Sequence, residues 1–178
     1  MANLIDNSYF TGEINLPGEL LTGSFATMDS YIEKYEKDFL IKLLGYTTYK
    51  DFLANPSTYA GLINGAEYTM QYNGLKTVRW NGLVNDDLIS PIAYYVYYHF
   101  MRDLATSTAT VGVTMANSEN SSVVSMSHKL TFAWNAMMEL YGGYTDSAIA
   151  STAYRYLYHS KPTDWIFTHM ERQNLWSL

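Results

Sequence analysis

The sequence predicts a mainly α fold: a bundle of four to five helices with one inserted β-hairpin over about 67–80, a long polar loop over about 106–125 and extended terminal arms. Three observations carry this. Apolar residues recur at helical spacing in several separate stretches. Asn73-Gly74, flanked by alternating side chains, is the strongest two-residue hairpin signal, because a type I′ turn needs positive φ at both central positions. A run of Ser, Thr, Asn and small residues (TSTATVGVTMANSENSSVVS) interrupts the helical pattern. At 178 residues the chain is one domain with room for a proper core.

The first stretch, 1–26, carries Gly12, Pro17, Gly18 and Gly23 without a sustained period. It reads as an N-terminal arm, either extended or packed on its own domain. The helical domain spans 27–159. Its first helix begins near Thr27 and sets Met28, Tyr31, Ile32, Tyr35, Phe39, Leu43 and Leu44 on one face, with Glu33 and Lys37 as an i,i+4 pair and Gly45 as the stop. A short helix over 47–54 presents Tyr49, Phe52 and Leu53, and Asn55-Pro56 ends it.

In the hairpin, setting Tyr72 opposite Leu75 places Tyr68, Met70, Tyr72, Leu75 and Thr77 on one face and Glu67, Thr69, Gln71, Lys76 and Val78 on the other. A lone two-stranded hairpin is marginal in water, so its tyrosine face must lean on the helices or on a neighbouring subunit. The third helix, about 86–105, has Ser90-Pro91 as a cap and first-turn pair with Asp86-Asp87 in a preceding turn. One stripe is Ile89, Ala93, Val96, Phe100 and Leu104, and a second is Tyr94, Tyr97, Tyr98 and Met101. A helix apolar around most of its circumference is buried on all sides, so this is the central helix, and an interface is a second way to complete its burial.

The loop 106–125 is long enough to be functional or disordered, and its composition is that of segments that order on binding. A fourth helix follows with Leu130, Ala133, Trp134, Met137, Met138 and Tyr141 on one stripe, stopped by Gly142-Gly143. A fifth, about 145–159, carries Ile149, Ala153, Tyr156 and Leu157, and Lys161-Pro162 closes it. The C-terminal tail 160–178 keeps Trp165, Phe167 and Trp176 with no clear period, and bulky aromatics there need a docking surface.

Composition narrows the function. Tyrosine supplies 17 residues, and aromatics make up 16% of the chain. Tyrosine suits half-wet contact surfaces as well as cores. The net charge is −6 with no run of Lys or Arg, which leaves no raw material for a strong phosphate clamp. There is no cysteine, so thiolate chemistry and disulfides are excluded. No signal-peptide pattern opens the chain, and its most apolar stretch, 88–101, falls short of the roughly 20 residues that span a bilayer.

Catalytic signatures are missing. The sequence has no phosphate-binding GxxxxGK[ST], no GxGxxG after a strand, no GxSxG and no HExxH. His99, His128, His159 and His169 are widely spaced and form no ligand pair. Asp86-Asp87 reads as acid at a helix N-terminus, complementing the dipole. Lys76 and Arg79 beside Tyr72 and Trp80 echo a single-strand-binding pattern, but two cations are too few. The expectation is a protein that is not an enzyme, with no metal and no cofactor.

Five segments, in order, resemble one family: FLIKLLGYTTYKDFLA (39–54), WNGL (80–83), SPIAYYVYYHFMRD (90–103), GVTMANSENSSVVS (112–125) and KLTFAWNAMMELY (129–141). They are similar to the head–tail connector proteins of tailed phages, especially those infecting gut Bacteroidetes, including the crAss-like group. The resemblance implies a structural virion protein at the head–tail junction, made and assembled in the host cytoplasm. Copies stack as a ring, commonly of twelve, between the portal protein and other neck or tail rings. DNA passes through without sequence-specific binding, and no membrane is involved. In such proteins the long inter-helix loop and the termini reach neighbours, which here points to Val113 and Met115 in the loop and to Trp165, Phe167 and Trp176 in the tail. The residues themselves offer Tyr68, Met70 and Tyr72 on the hairpin and Tyr94, Tyr97 and Tyr98 on the third helix as further subunit or portal contacts. The alternatives are a tail-completion or neck protein further from the portal, or a helical DNA-packaging or regulatory factor.

Overall fold

The computed structural model describes residues 3–16, 28–71, 74–106, 126–142 and 151–174. It is mainly helical, with a single two-stranded antiparallel hairpin among the described residues. Two 3-10 turns, Asn7–Tyr9 and Gly12–Ile14, precede helix α1 (Met28–Leu44) and helix α2 (Tyr46–Ala54). A 3-10 turn (Pro56–Tyr59) runs into the short α3 (Ala60–Asn64), which the sequence pattern did not reveal. The hairpin follows as β1 (Ala66–Gln71) and β2 (Leu75–Trp80). Helices α4 (Pro91–Thr106), α5 (Met126–Tyr141) and α6 (Ala153–Ser160) complete the order.

Helix α4 is the axis of the molecule, packed between α1 and α5. Ser90 starts it: the buried Ser90 hydroxyl accepts from the Ile92 N–H at 3.2 Å, and the Ser90 carbonyl accepts from Tyr94 N–H at 3.2 Å. Ile92, Ala93, Tyr95, Val96, Tyr97, Tyr98, Phe100 and Met101 are all buried, so the all-round apolar helix is indeed interior. Each such large side chain is worth roughly 1.5–3 kcal/mol on burial. Ile89 departs from its expected stripe, because it precedes the helix and is 49% exposed. Helix α1 buries the expected face except Tyr31, which is half-buried, and adds Glu36 and Leu40 to it. Its i,i+4 ion pair is Asp38 with Lys42 at 2.6 Å, not Glu33 with Lys37.

The hairpin pairs one residue out of the expected register. Gln71 lies opposite Leu75, Tyr68 opposite Val78 and Ala66 opposite Trp80, so three residues rather than two separate the paired ends. A one-residue slip turns every side chain of a strand to the other face. Val78 and Trp80 therefore join Tyr68 in the core, while Leu75 and Thr77 face outward. The reason is at the hairpin base. Trp80 is buried and its Nε1–H donates to the Leu62 carbonyl at 2.9 Å, and strand parity then carries Val78 inward.

That base is a close backbone crossing. Leu83 and Val84 N–H groups donate to the carbonyls of Leu62 and Ile63 at 3.1 and 2.8 Å. Gly82, at φ +95°, sits where a Cβ would lie 2.6 Å from both Gly65 N and Ile63 O. Only glycine fits there.

Helix α6 begins at Ala153, where the Thr152 hydroxyl caps Arg155 N–H at 3.2 Å; the expected start near 145 and Ile149 lie outside the described residues. Lys161, in the left-handed region at φ +46°, ends it with its N–H on the Leu157 carbonyl at 2.8 Å.

Both termini fold back on the bundle. Ile5, Tyr9, Phe10, Ile14 and Leu16 are buried, so 3–16 packs on its own domain rather than standing free as an extended arm. In the tail, Thr168 and Ile166 N–H groups donate to the carbonyls of Lys42 and Leu44 at 2.9 and 3.4 Å, and Trp165 Nε1–H donates to Leu43 at 2.8 Å. These are last-turn carbonyls of α1, which have no partner inside the helix.

Candidate interaction surfaces

No group of three His, Asp or Glu side chains among the described residues could hold a metal ion. His99 is the unusual histidine. Its ring lies flat on Tyr35 (centroids 4.1 Å apart, planes 6° apart) and edge-on to Tyr95 and Tyr98 at 4.5 and 5.3 Å. Both ring nitrogens are buried without a hydrogen-bond partner among the described residues. Burial first, then the Arg102 guanidinium, pull its pKa down to about 4 against weaker upward pulls from Asp38 and Asp103. A neutral imidazole serving as an aromatic plate is a packing residue. His128, His159 and His169 are exposed.

Two carboxylates are tied into the fold instead, Glu36 buried and Asp38 partly exposed. Glu36 accepts from Leu4 N–H at 2.9 Å and Ile5 N–H at 3.2 Å, a latch between α1 and the N-terminal arm. Its burial raises its pKa, and those two backbone donors oppose the rise. Asp38 accepts from Tyr95 O–H at 2.5 Å and pairs with Lys42. Burial pushes the Asp38 pKa up, but the Lys42 and Tyr95 hydrogen bonds outweigh it and hold the carboxyl below its ordinary value. Neither residue was visible as special in the sequence. The only hint is an acidic residue falling on the apolar face of α1, one turn after Ile32.

The expected contact residues divide into three groups. Tyr97 (2% exposed), Tyr98 and Tyr68 are buried inside the chain and leave little side chain for a partner. Tyr98 O–H accepts from Gln173 Nε2 at 3.0 Å, and its ring meets Trp134 at 4.8 Å; Tyr68 packs edge-on to Tyr156 at 5.9 Å. Met70, Tyr94, Trp165 and Phe167 are half-buried. Phe167 stacks on Tyr141 at 4.7 Å and Trp165 bonds to Leu43, so these two tail aromatics find their docking surface on this chain. Tyr72, Val113, Met115 and Trp176 lie outside the described residues, as does the loop 107–125.

The exposed apolar side chains are others. Leu75 (76% exposed) and Tyr158 (61%) flank a groove of 730 Å³ between the hairpin and α6, which Met70, Arg155, His159 and Lys161 also line. On another part of the molecule Phe132 (43%) projects from α5, its ring edge-on to Tyr94 of α4 at 6.5 Å. The register slip hid Leu75, and Phe132 sits off the stripe that defines α5.

A family of unknown function (DUF6712) matches residues 40–149, more than half of the chain. The chain belongs to that family. The match runs from the C-terminal end of α1 through the hairpin, α4 and α5. No curated protein and no solved structure matches. No helix among the described residues is long and apolar enough to cross a membrane.

Proposed function

We propose that this DUF6712 protein is a structural subunit of the head–tail connector of a tailed phage, assembling as a ring of identical copies around the DNA channel and joining the portal protein to the tail. The observation that carries the reading is the ordered resemblance of five segments across 39–141, which falls within or close to the DUF6712 span of 40–149.

Physical features support it. A ring is built from heterologous contacts, so each subunit needs two different adhesive faces. The hairpin–α6 edge with Leu75 and Tyr158 supplies one exposed apolar patch, and Ile89 and Phe132 expose apolar surface elsewhere on the chain. The net charge of −6 suits a channel wall along which DNA must slide without sticking. Glu36 and Asp38 hydrogen-bond within this chain, and the His99 ring stacks on Tyr35.

The test is electron microscopy of the purified chain, alone and with a portal ring from the same phage. The reading expects closed rings with a central hole, or one added layer on the portal. Particles of monomer size that leave the portal undecorated would contradict it. A strongly basic channel wall in a ring structure would overturn the argument from charge.

A further inference from the structure

The groove between the hairpin and α6 reverses the sign of the chain. The protein carries 17 acidic and 11 basic residues, yet the charged groups lining this groove are Arg155 and Lys161 with His159 beside them, and no carboxylate. Its apolar wall is Leu75, Met70 and Tyr158, with Lys161 Nζ 6.0 Å from the Tyr158 ring centroid.

The turn 85–89 carries the complementary set. Asp86 and Asp87 are exposed side by side, and Ile89 is half-exposed after them. This turn is held, not loose. Asn85 Nδ2 donates to the Ile89 carbonyl at 2.6 Å, and Ile89 N–H donates to Asn85 Oδ1 at 3.1 Å. Tyr9 O–H accepts from Asn85 N–H at 3.2 Å and lies 3.3 Å from the Asn85 carbonyl. Leu88 is kept at φ +57°, a conformation costly for a branched side chain that the surrounding bonds must enforce. Arg79 lines the hollow beside the two aspartates but makes no ion pair with them.

Resting on the ring reading, we infer that the 85–89 turn of one copy docks into the hairpin–α6 groove of the next, with Asp86 and Asp87 on Arg155 and Lys161 and Ile89 against Leu75 and Tyr158. The two patches share no residue, as a heterologous contact requires. Opposite charge sets the register and an apolar centre excludes water, the usual division of labour at an interface. The contact is polar at its edge, so it weakens as salt rises.

The experiment is a charge swap read by sedimentation velocity on the full chain. One variant carries Arg155→Glu and Lys161→Glu, the other Asp86→Lys and Asp87→Lys. Each alone is expected to weaken self-association at least about tenfold, and an equimolar mixture to restore it, because each reversed patch then meets its opposite on the other variant. If the wild-type chain assembles but the folded variants assemble equally well, or the mixture restores nothing, this interface is wrong and the ring reading stands. If the wild-type chain neither self-associates nor joins a portal ring, both fail. Should a reversed variant not fold, the cysteine-free background supplies a second readout. Ile89→Cys and Tyr158→Cys chains, mixed under oxidising conditions, are expected to give the mixed disulfide dimer in excess over either self-dimer. Its absence from assembled wild-type-like rings overturns the inference.

Discussion

The α1–α4–α5 core and the hairpin–α6 edge use the same residue types to opposite ends. In the core, tyrosines are spent inside the molecule: Tyr95 O–H donates to Asp38 at 2.5 Å, Tyr141 O–H donates to the Thr168 carbonyl at 2.8 Å, and Tyr35 lies flat on His99. At the edge, Tyr158 stands 61% exposed beside an exposed Leu75 and a cluster of cations. The core closes on itself, and the edge leaves large apolar side chains exposed. Aromatic abundance by itself therefore says little about adhesion; what matters is whether each ring and hydroxyl already has a partner on its own chain.

The comparison can be broken most severely at the joint between the two regions. Gly82→Ala forces a Cβ into the backbone of 63–65 at a positive φ, and is expected to cost about 3 kcal/mol or more and to free the hairpin. A thermal melt unchanged from wild type would show that the crossing is not what fixes the hairpin to the bundle.

The core should also be sensitive to acid. The unfolded chain binds a proton at His99 below its ordinary pKa of 6.5, and the folded chain resists until about 4. Stability is then full above pH 6.5 and is lost as pH falls towards 4, by less than the roughly 3 kcal/mol a fully buried group would lose, because solvent screens a ring that is only partly buried. His99→Phe keeps the stacked ring and is expected to flatten that part of the acid limb in denaturant titrations at several pH values. An unchanged pH slope would mean that His99 is protonated without cost.

Much of the fold was legible in the sequence, because burial on one face of a helix leaves a periodic trace. Helices α1, α4 and α5 follow their apolar stripes, and Ser90, Gly45 and Gly142 mark their ends as expected. The hairpin was visible but its register was not. Asn73-Gly74 fits a two-residue turn locally, whereas burial of Trp80 on Leu62, a tertiary contact, selects the three-residue one. Contact residues are what local spacing constrains least. Tyr97 and Tyr98 satisfy the same pattern whether they face a neighbour or their own bundle, and local spacing cannot distinguish the two. Glu36 was unreadable for a similar reason, since its partners lie 31 and 32 residues away.

A smaller effect sharpens the contrast. Glu36→Ala leaves the Leu4 and Ile5 N–H groups without an acceptor, and about 1–3 kcal/mol is the expected loss. Amide exchange at Leu4 and Ile5 should accelerate in step, and slow exchange retained in that variant would deny the latch. The smallest stability effect belongs to the edge. Leu75→Ser removes an exposed side chain and should change stability by no more than about 0.5 kcal/mol, while reducing self-association. A large loss of stability there would mean that the edge is part of the core after all.

The ring itself is tested most directly by native mass spectrometry of the purified chain, alone and with a portal complex from the same phage. The account predicts one closed oligomer of defined copy number, or stoichiometric binding of such a set of copies to the portal. A chain that stays monomeric in both samples would contradict it.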